Sequence, residues 1–279
     1  MSETVWYTRK YICRNGVEER TKFPVRVSSS AGRKRNREAV KASRASDNAE
    51  RQTARNLNNN FSAHHDIHLV LEYSEAGYAR VIKRAEAMRE DSGEPWEDLL
   101  YRAAQKECEN WIRRVQRQLK GLGELRYLFV TSDMDGDTGE RVRLHHHVII
   151  NREAREACIE KWKRMGFVMN AELYSIHGDF SPLASYLIKQ VRYIPNAKRY
   201  TPSRNLIPPE MTEPMAVTRF GESEMRVPKG CVELYRSPYI RGAAQYLRYL
   251  RPDRRGKEPT AAPRELRQEG VGRKKGQEP

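Results

Sequence analysis

Cysteine is scarce in this chain of 279 residues, and what there is lies scattered. Cys13, Cys108, Cys158 and Cys231 form no CxxC pair. That spacing argues against a cysteine-bound zinc site and favours free thiols in a reducing compartment. Long apolar runs are missing too, and none approaches the length that spans a bilayer. The opening Met1-Ser2-Glu3-Thr4 lacks the basic-then-apolar layout of a secretion signal. A cytoplasmic protein with no membrane partner is therefore expected. Apolar residues make up only 38% of the chain against 32% charged. Part of the chain is thus expected outside any packed core.

Negative charge is in short supply. Asp and Glu number 37 against 52 Lys and Arg, for a net charge of +15. The excess sits at the ends. Residues 1–60 hold 14 basic against 6 acidic side chains, and residues 251–279 hold 9 against 5. Basic flanks around a near-neutral centre suit a polyanion, with nucleic acid the leading class.

Along the chain, Ser28 to Arg35 forms a basic stretch of turn formers, expected as a loop. Residues 36–58 hold no Pro or Gly and predict a polar helix. Asp66 to Tyr73 alternates as a strand does. Helices follow at about 78–90 and 96–120, the second with Leu99, Ala103, Trp111, Ile112 and Val115 at helical spacing. Residues 126–131 and 141–151 predict an antiparallel strand pair around the turn formers Asp133 to Gly139. A helix is expected at 152–164 and a strand at 167–175. Ser181-Pro182 opens a further helix reaching Tyr193. A short helix over 239–250 is the last expected element.

His145-His146-His147 lies in the strand at 141–151. Successive side chains on a strand point to opposite faces, so His145 and His147 share one face and His146 takes the core side. Two residues on one strand face lie about 6.6 Å apart at Cα, so both imidazoles can converge on one ion. A run of partly exposed histidines is the bland alternative. His64, His65 and His68 form a second cluster, expected as a loop followed by a strand edge.

Tyr186 and Lys189 lie one turn apart on the helix opened by Pro182. Positions i and i+3 are surface neighbours, so phenol and ammonium can face one site. A phenol is a weak nucleophile near neutral pH, because its pKa is near 10. A nearby metal and a lysine would favour the phenolate and neutralise charge on a phosphate in flight. The alternative is an amphipathic helix with a half-buried tyrosine and a solvated lysine.

Taken together, these segments resemble the HUH endonucleases, specifically the rolling-circle replication initiators of phages, plasmids and their integrated relatives. The resemblance covers about residues 50–207. Ala54-Arg55-Asn56-Leu57, Asn60-Phe61 and His68 to Tyr73 resemble the lead-in and first motif. Tyr127 to Thr131 followed by Arg143 to Ile150 resembles the metal motif. Trp162, Gly166, Gly178-Asp179 and Leu183 to Gln190 resemble the nucleophile motif, and Lys198-Arg199-Tyr200 with Ser203 to Leu206 the basic segment after it.

The resemblance implies an α+β fold, a central antiparallel sheet flanked by helices in an HUH/RRM-like palm. The palm would occupy 61–207. A basic helical N-terminal extension would fill 1–60, an irregular segment with a short helix 208–250, and a disordered basic tail 251–279. It implies Mg²⁺ or Mn²⁺ held by His145 and His147, and attack by Tyr186 on single-stranded DNA at a replication origin. A 5′-phosphotyrosine link and a free 3′-hydroxyl would result. A host helicase is a candidate further partner. Arg143, Arg192, Lys198, Arg199 and Arg204 are candidate DNA contacts.

Two positions depart from the family pattern. Ser132 stands where a Glu ligand is usual, and Glu72 where Thr is usual. We expect the changes to be linked, with Glu72 supplying the missing carboxylate. By alternation His68, Val70 and Glu72 share one face of their strand. Asp133 and Asp135 are rival ligands, and Tyr193 a rival nucleophile. Three further functions compete. One is a relaxase or transposase of the same chemistry. Another is a single-strand binder without catalysis, and the last a metal hydrolase using water.

Overall fold

A computed structural model describes residues 4–26, 37–89, 93–136, 138–194, 197–217 and 223–252. The expected loop at 28–35 and nearly all of the expected tail, from 253 on, fall outside the described residues. The fold is α+β, with antiparallel strand pairing throughout two sheets.

The chain begins with a hairpin, β1 (Thr4–Ile12) and β2 (Val17–Arg26), followed by helix α1 (Arg37–Asn60). Next come β3 (Ile67–Tyr73), α2 (Glu75–Arg89), α3 (Trp96–Gln118), β4 (Tyr127–Met134) and β5 (Arg141–Ile150). They are followed by α4 (Arg155–Trp162), β6 (Gly166–Ala171) and α5 (Ser181–Lys189). Short strands β7 (Thr201–Pro202), β8 (Glu210–Met211) and β9 (Met215–Ala216) precede β10 (Val232–Arg236) and β11 (Gln245–Leu250).

The central sheet runs β6-β3-β5-β4-β7. One face carries Leu69, Leu71, Tyr73, Phe129, His146 and Val148, all buried, as period 2 requires. Helices close this face. Trp111 of α3 and Trp162 of α4 meet edge to face at 5.7 Å, and Trp162 meets His146 in the same way at 5.7 Å. His146 sits between Tyr73 Oη at 2.7 Å and Thr131 Oγ1 at 2.9 Å. Burial, then the neighbouring His145 and His147, depresses its pKa to about 3, so it stays a neutral core group.

Several expectations need correcting here. Residues 4–26 form a hairpin ahead of the helix, so the N-terminal extension is not a loop plus helix alone. Within 208–250 the described chain also forms strands β8 to β11, and 245–250 is a strand rather than part of a helix. Both ends of the described chain join one outer sheet, β10-β11-β2-β1-β8, with β9 also on β1. Gln245–Leu250 is buried at five of six positions, so helical and strand spacing look alike there. Pairing with β2 on one side and β10 on the other decides for a strand. Strand β6 stops at Ala171, and α5 stops at Lys189, so Tyr193 is not on the helix of Tyr186.

Candidate active site

Strand pairing builds the open face of the central sheet. Antiparallel partners point to one side, so Glu72, His145 and Ser132 form one row across β3, β5 and β4. Val70, His147 and Val130 form the next row. The expected co-facing of Glu72, His145 and His147 is therefore present.

The hydrogen-bond chain behind these rings fixes where their protons go. His68 Nδ1 lies 3.1 Å from the Glu172 carbonyl, which can only accept, so Nδ1 carries the proton. Burial lowers the His68 pKa, so the ring is neutral and its Nε2 is a lone pair. That lone pair faces His147 Nδ1 at 3.1 Å, which must donate. Burial, then His68 and His145, depresses the His147 pKa to about 3, with a hydrogen bond to Gln190 acting the other way. His147 Nε2 is then a lone pair as well. His145 Nδ1 lies 3.1 Å from the Arg143 carbonyl and donates to it. His145 Nε2 and His147 Nε2 lie 3.2 Å apart, close enough to share a proton or to bind one ion.

The spacing fits a metal. Two nitrogens bound to one ion at about 2.1 Å, at right or tetrahedral angles, lie about 3.0 to 3.4 Å apart. Among the described residues, however, no group of three or more His, Cys, Asp and Glu side chains is drawn together as a metal cage. Glu72 is exposed and lies directly across from His145 on the neighbouring strand. Asp133 is tied up differently, because its Oδ2 pairs with Arg192 at 3.2 Å. Asp135 accepts bonds from the Thr138 amide and hydroxyl in the β4–β5 turn. Ser132 is buried, and its hydroxyl donates to the Gln190 carbonyl at 2.9 Å, joining β4 to the end of α5.

Helix α5 brings Tyr186 to this face. The helix start is held by α1, where Asn58 Nδ2 donates to Asp179 Oδ1 at 3.0 Å and Asn58 Oδ1 accepts from the Phe180 amide at 2.9 Å. Leu183, Leu187 and Ile188 are buried, which leaves Tyr186 outward and 39% exposed. Its ring lies 6.0 Å from the His147 ring, centre to centre and edge on. The β4–β5 turn packs on its other side. A methyl group on Gly136 would fall 2.3 Å from a ring carbon of Tyr186 and 2.6 Å from its hydroxyl, so a side chain there would push the ring aside. A cavity of about 570 Å³ is lined by Glu72, His145, His147, Tyr186, Gln190, Arg143 and their neighbours.

The other expected residues divide. Lys189 is exposed and outside this lining, while Gln190, one residue on, is inside it. Four residues make a closer helical match to Tyr186 than three, and Gln190 Nε2 donates to the Tyr186 carbonyl at 3.1 Å. Arg143 lines the cavity, paired with Glu75 at 2.7 Å and placed over the Tyr78 ring. Arg192 is held by Glu97, Asp98 and Asp133. Arg199 lies over the Tyr193 ring at 5.2 Å. Lys198 and Arg204 line a different cavity, of about 820 Å³, against α3 and β7. His68, expected as part of a loop-and-edge cluster, instead orients His147. Its position on the Glu72 face of β3 was the available signal.

Comparison with protein-family models, with curated proteins and with solved structures returns no match to this chain.

Proposed function

We propose that this protein nicks and rejoins single-stranded DNA through Tyr186, as rolling-circle replication initiators of the HUH group do. The observation that carries the proposal is the phenol of a late helix standing beside two same-face imidazoles whose Nε2 atoms lie 3.2 Å apart. In this reading the central sheet is the palm of an HUH domain. His145 and His147 hold Mg²⁺ or Mn²⁺, and Glu72 takes the place of the Glu that Ser132 replaces. The metal supplies Lewis acidity at the scissile phosphate and favours the phenolate.

The protein residues do the rest. His68 and the Arg143 carbonyl engage the Nδ1 atoms of His147 and His145 and so turn both Nε2 atoms toward the site. Gly136 and His147 lie against the Tyr186 ring. Tyr186 Oη forms a bond to phosphorus, and the bond from phosphorus to O3′ breaks. The phenol loses its proton to solvent, and O3′ takes one up as it leaves. The DNA 5′ end stays on the tyrosine, and the freed 3′-hydroxyl can prime synthesis or attack back to rejoin. Origin DNA is the proposed partner, with a host helicase acting on the opened duplex.

The test uses a labelled pool of random-sequence single-stranded DNA with Mn²⁺, resolved on a denaturing gel. Labelled DNA migrating with the protein is expected, and Tyr186→Phe should lower it by about 10³-fold or more. Tight binding with no linked DNA would point to a non-catalytic binder. Cutting without linkage, unchanged in Tyr186→Phe, would point to a hydrolase using water.

A further inference from the structure

Strand β6 is an edge of the central sheet, and it presents apolar side chains to solvent beside the site. Phe167 is 64% exposed and Met169 48%. Register places Phe167 directly across from Glu72 and Met169 across from Val70. The first row of the open face is therefore Phe167, Glu72, His145, and the second Met169, Val70, His147. At about 4.8 Å per strand, the root of Phe167 lies about 10 Å from that of His145. Both apolar side chains line the cavity that holds the imidazole pair and Tyr186.

The fold does not need this arrangement. Val168, between them, points the other way and packs on the core, so it anchors the strand without them. Gly166 lies against the Glu72 carbonyl, and a side chain there would strike it. The strand is thus pinned in the register that turns Phe167 and Met169 outward. Isolated exposed apolar residues are ordinary, but two on one face, continuous with a polar cavity, form a platform.

We infer that Phe167 and Met169 form a seat for one unpaired nucleobase next to the scissile phosphate. This rests on the proposed reaction with single-stranded DNA. An aromatic ring stacks on the face of any base, and a thioether packs favourably on a ring edge. The adjoining Arg143 is 43% exposed and suits the phosphate of the same nucleotide. The net charge of +15 suits a polyanionic partner. Two side chains cannot supply the roughly 1,200 Å² or more that a stable protein interface buries, whereas they match one base. The seat tolerates any sequence, so it sets the position of the strand rather than the identity of the base.

The test measures anisotropy of labelled oligothymidine and of an abasic oligomer of equal length, with wild type, Phe167→Ala and Phe167→Trp. Phe167→Ala should weaken oligothymidine binding about 5- to 100-fold and leave abasic binding unchanged. Phe167→Trp should keep wild-type binding of both. Equal loss for both oligomers in Phe167→Ala, or no loss for either, overturns the seat. So does a wild type that does not distinguish them. The outcome is independent of covalent linkage. A base seat can stand if Tyr186 forms no adduct, and adduct formation can stand if Phe167 proves inert.

Discussion

The two sheets of this protein are held in different ways. The central sheet is sealed by apolar side chains in one continuous core from Leu57 and Phe61 through Trp111, Phe129 and Trp162 to Leu187. Among the described residues, the outer sheet has two small apolar clusters, Cys13 with Val17 and Leu250, and Met225 with Leu247 and Tyr249. It is fastened instead by buried polar groups. Arg55 of α1 pairs with Glu19 at 2.6 Å and lies over the Tyr11 ring at 3.5 Å. Asn15 bonds Asn58, Arg248 pairs with Asp179, and Glu18 takes bonds from Tyr249 and Arg251. The central sheet can therefore leave one face open, while the outer sheet fixes α1 and, through Asn58 and Asp179, the start of the helix that carries Tyr186.

The contrast is sharpest under mutation. Trp162→Ala removes a fully buried ring and the bond its Nε1 makes to the Glu72 carbonyl at 2.9 Å. It should cost about 5 kcal/mol in urea unfolding, near the top of the range for buried aromatics. Glu19→Ala leaves the Arg55 charge buried and unpaired, at a cost of about 3 kcal/mol or more. Adding Arg55→Met with Glu19→Leu should restore most of that stability, because both charges then leave together. If the double variant is as unstable as Glu19→Ala, polar fastening is not what holds the outer sheet.

Residues of the open face should behave oppositely. Glu72→Ala removes an exposed side chain and should change stability by less than about 0.5 kcal/mol. Calorimetric Mn²⁺ affinity should nevertheless fall about 10-fold or more. An unchanged affinity would return the ligand role to Asp133, Asp135 or water. Gly136→Ala should have the smallest effect on folding, yet slow DNA linkage by displacing the Tyr186 ring. An unchanged linkage rate would show that the β4–β5 turn does not position the phenol.

The same contrast explains what could be read in advance. Strands β3 and β5 and helix α3 show clear periods, because one side of each faces an apolar core. Period 2 alone places His145 with His147, and turning the apolar faces of β3 and β5 to one core adds Glu72 to that side. The hairpin at 4–26 shows no such period, because Tyr11 and Glu19 are held by Arg55 of α1 and Lys22 lies over the distant Tyr239 ring. Tyr249 meets Glu18 across 231 residues, beyond any local pattern. His68 was similarly hidden. Its contact with His147 depends on the register of β3 against β5, which neither strand specifies alone. Lys189 was misplaced by counting three residues along α5 where the cavity uses the fourth.

The central claim is that Tyr186 attacks DNA beside the imidazole pair. It is tested most directly by digesting the protein after incubation with single-stranded DNA and Mn²⁺ and locating the nucleotide-bearing peptide by mass spectrometry. The account predicts a phosphodiester-linked remnant on Tyr186 that disappears in His147→Ala. A remnant on Tyr193 or any other side chain, or one that persists without His147, would contradict it.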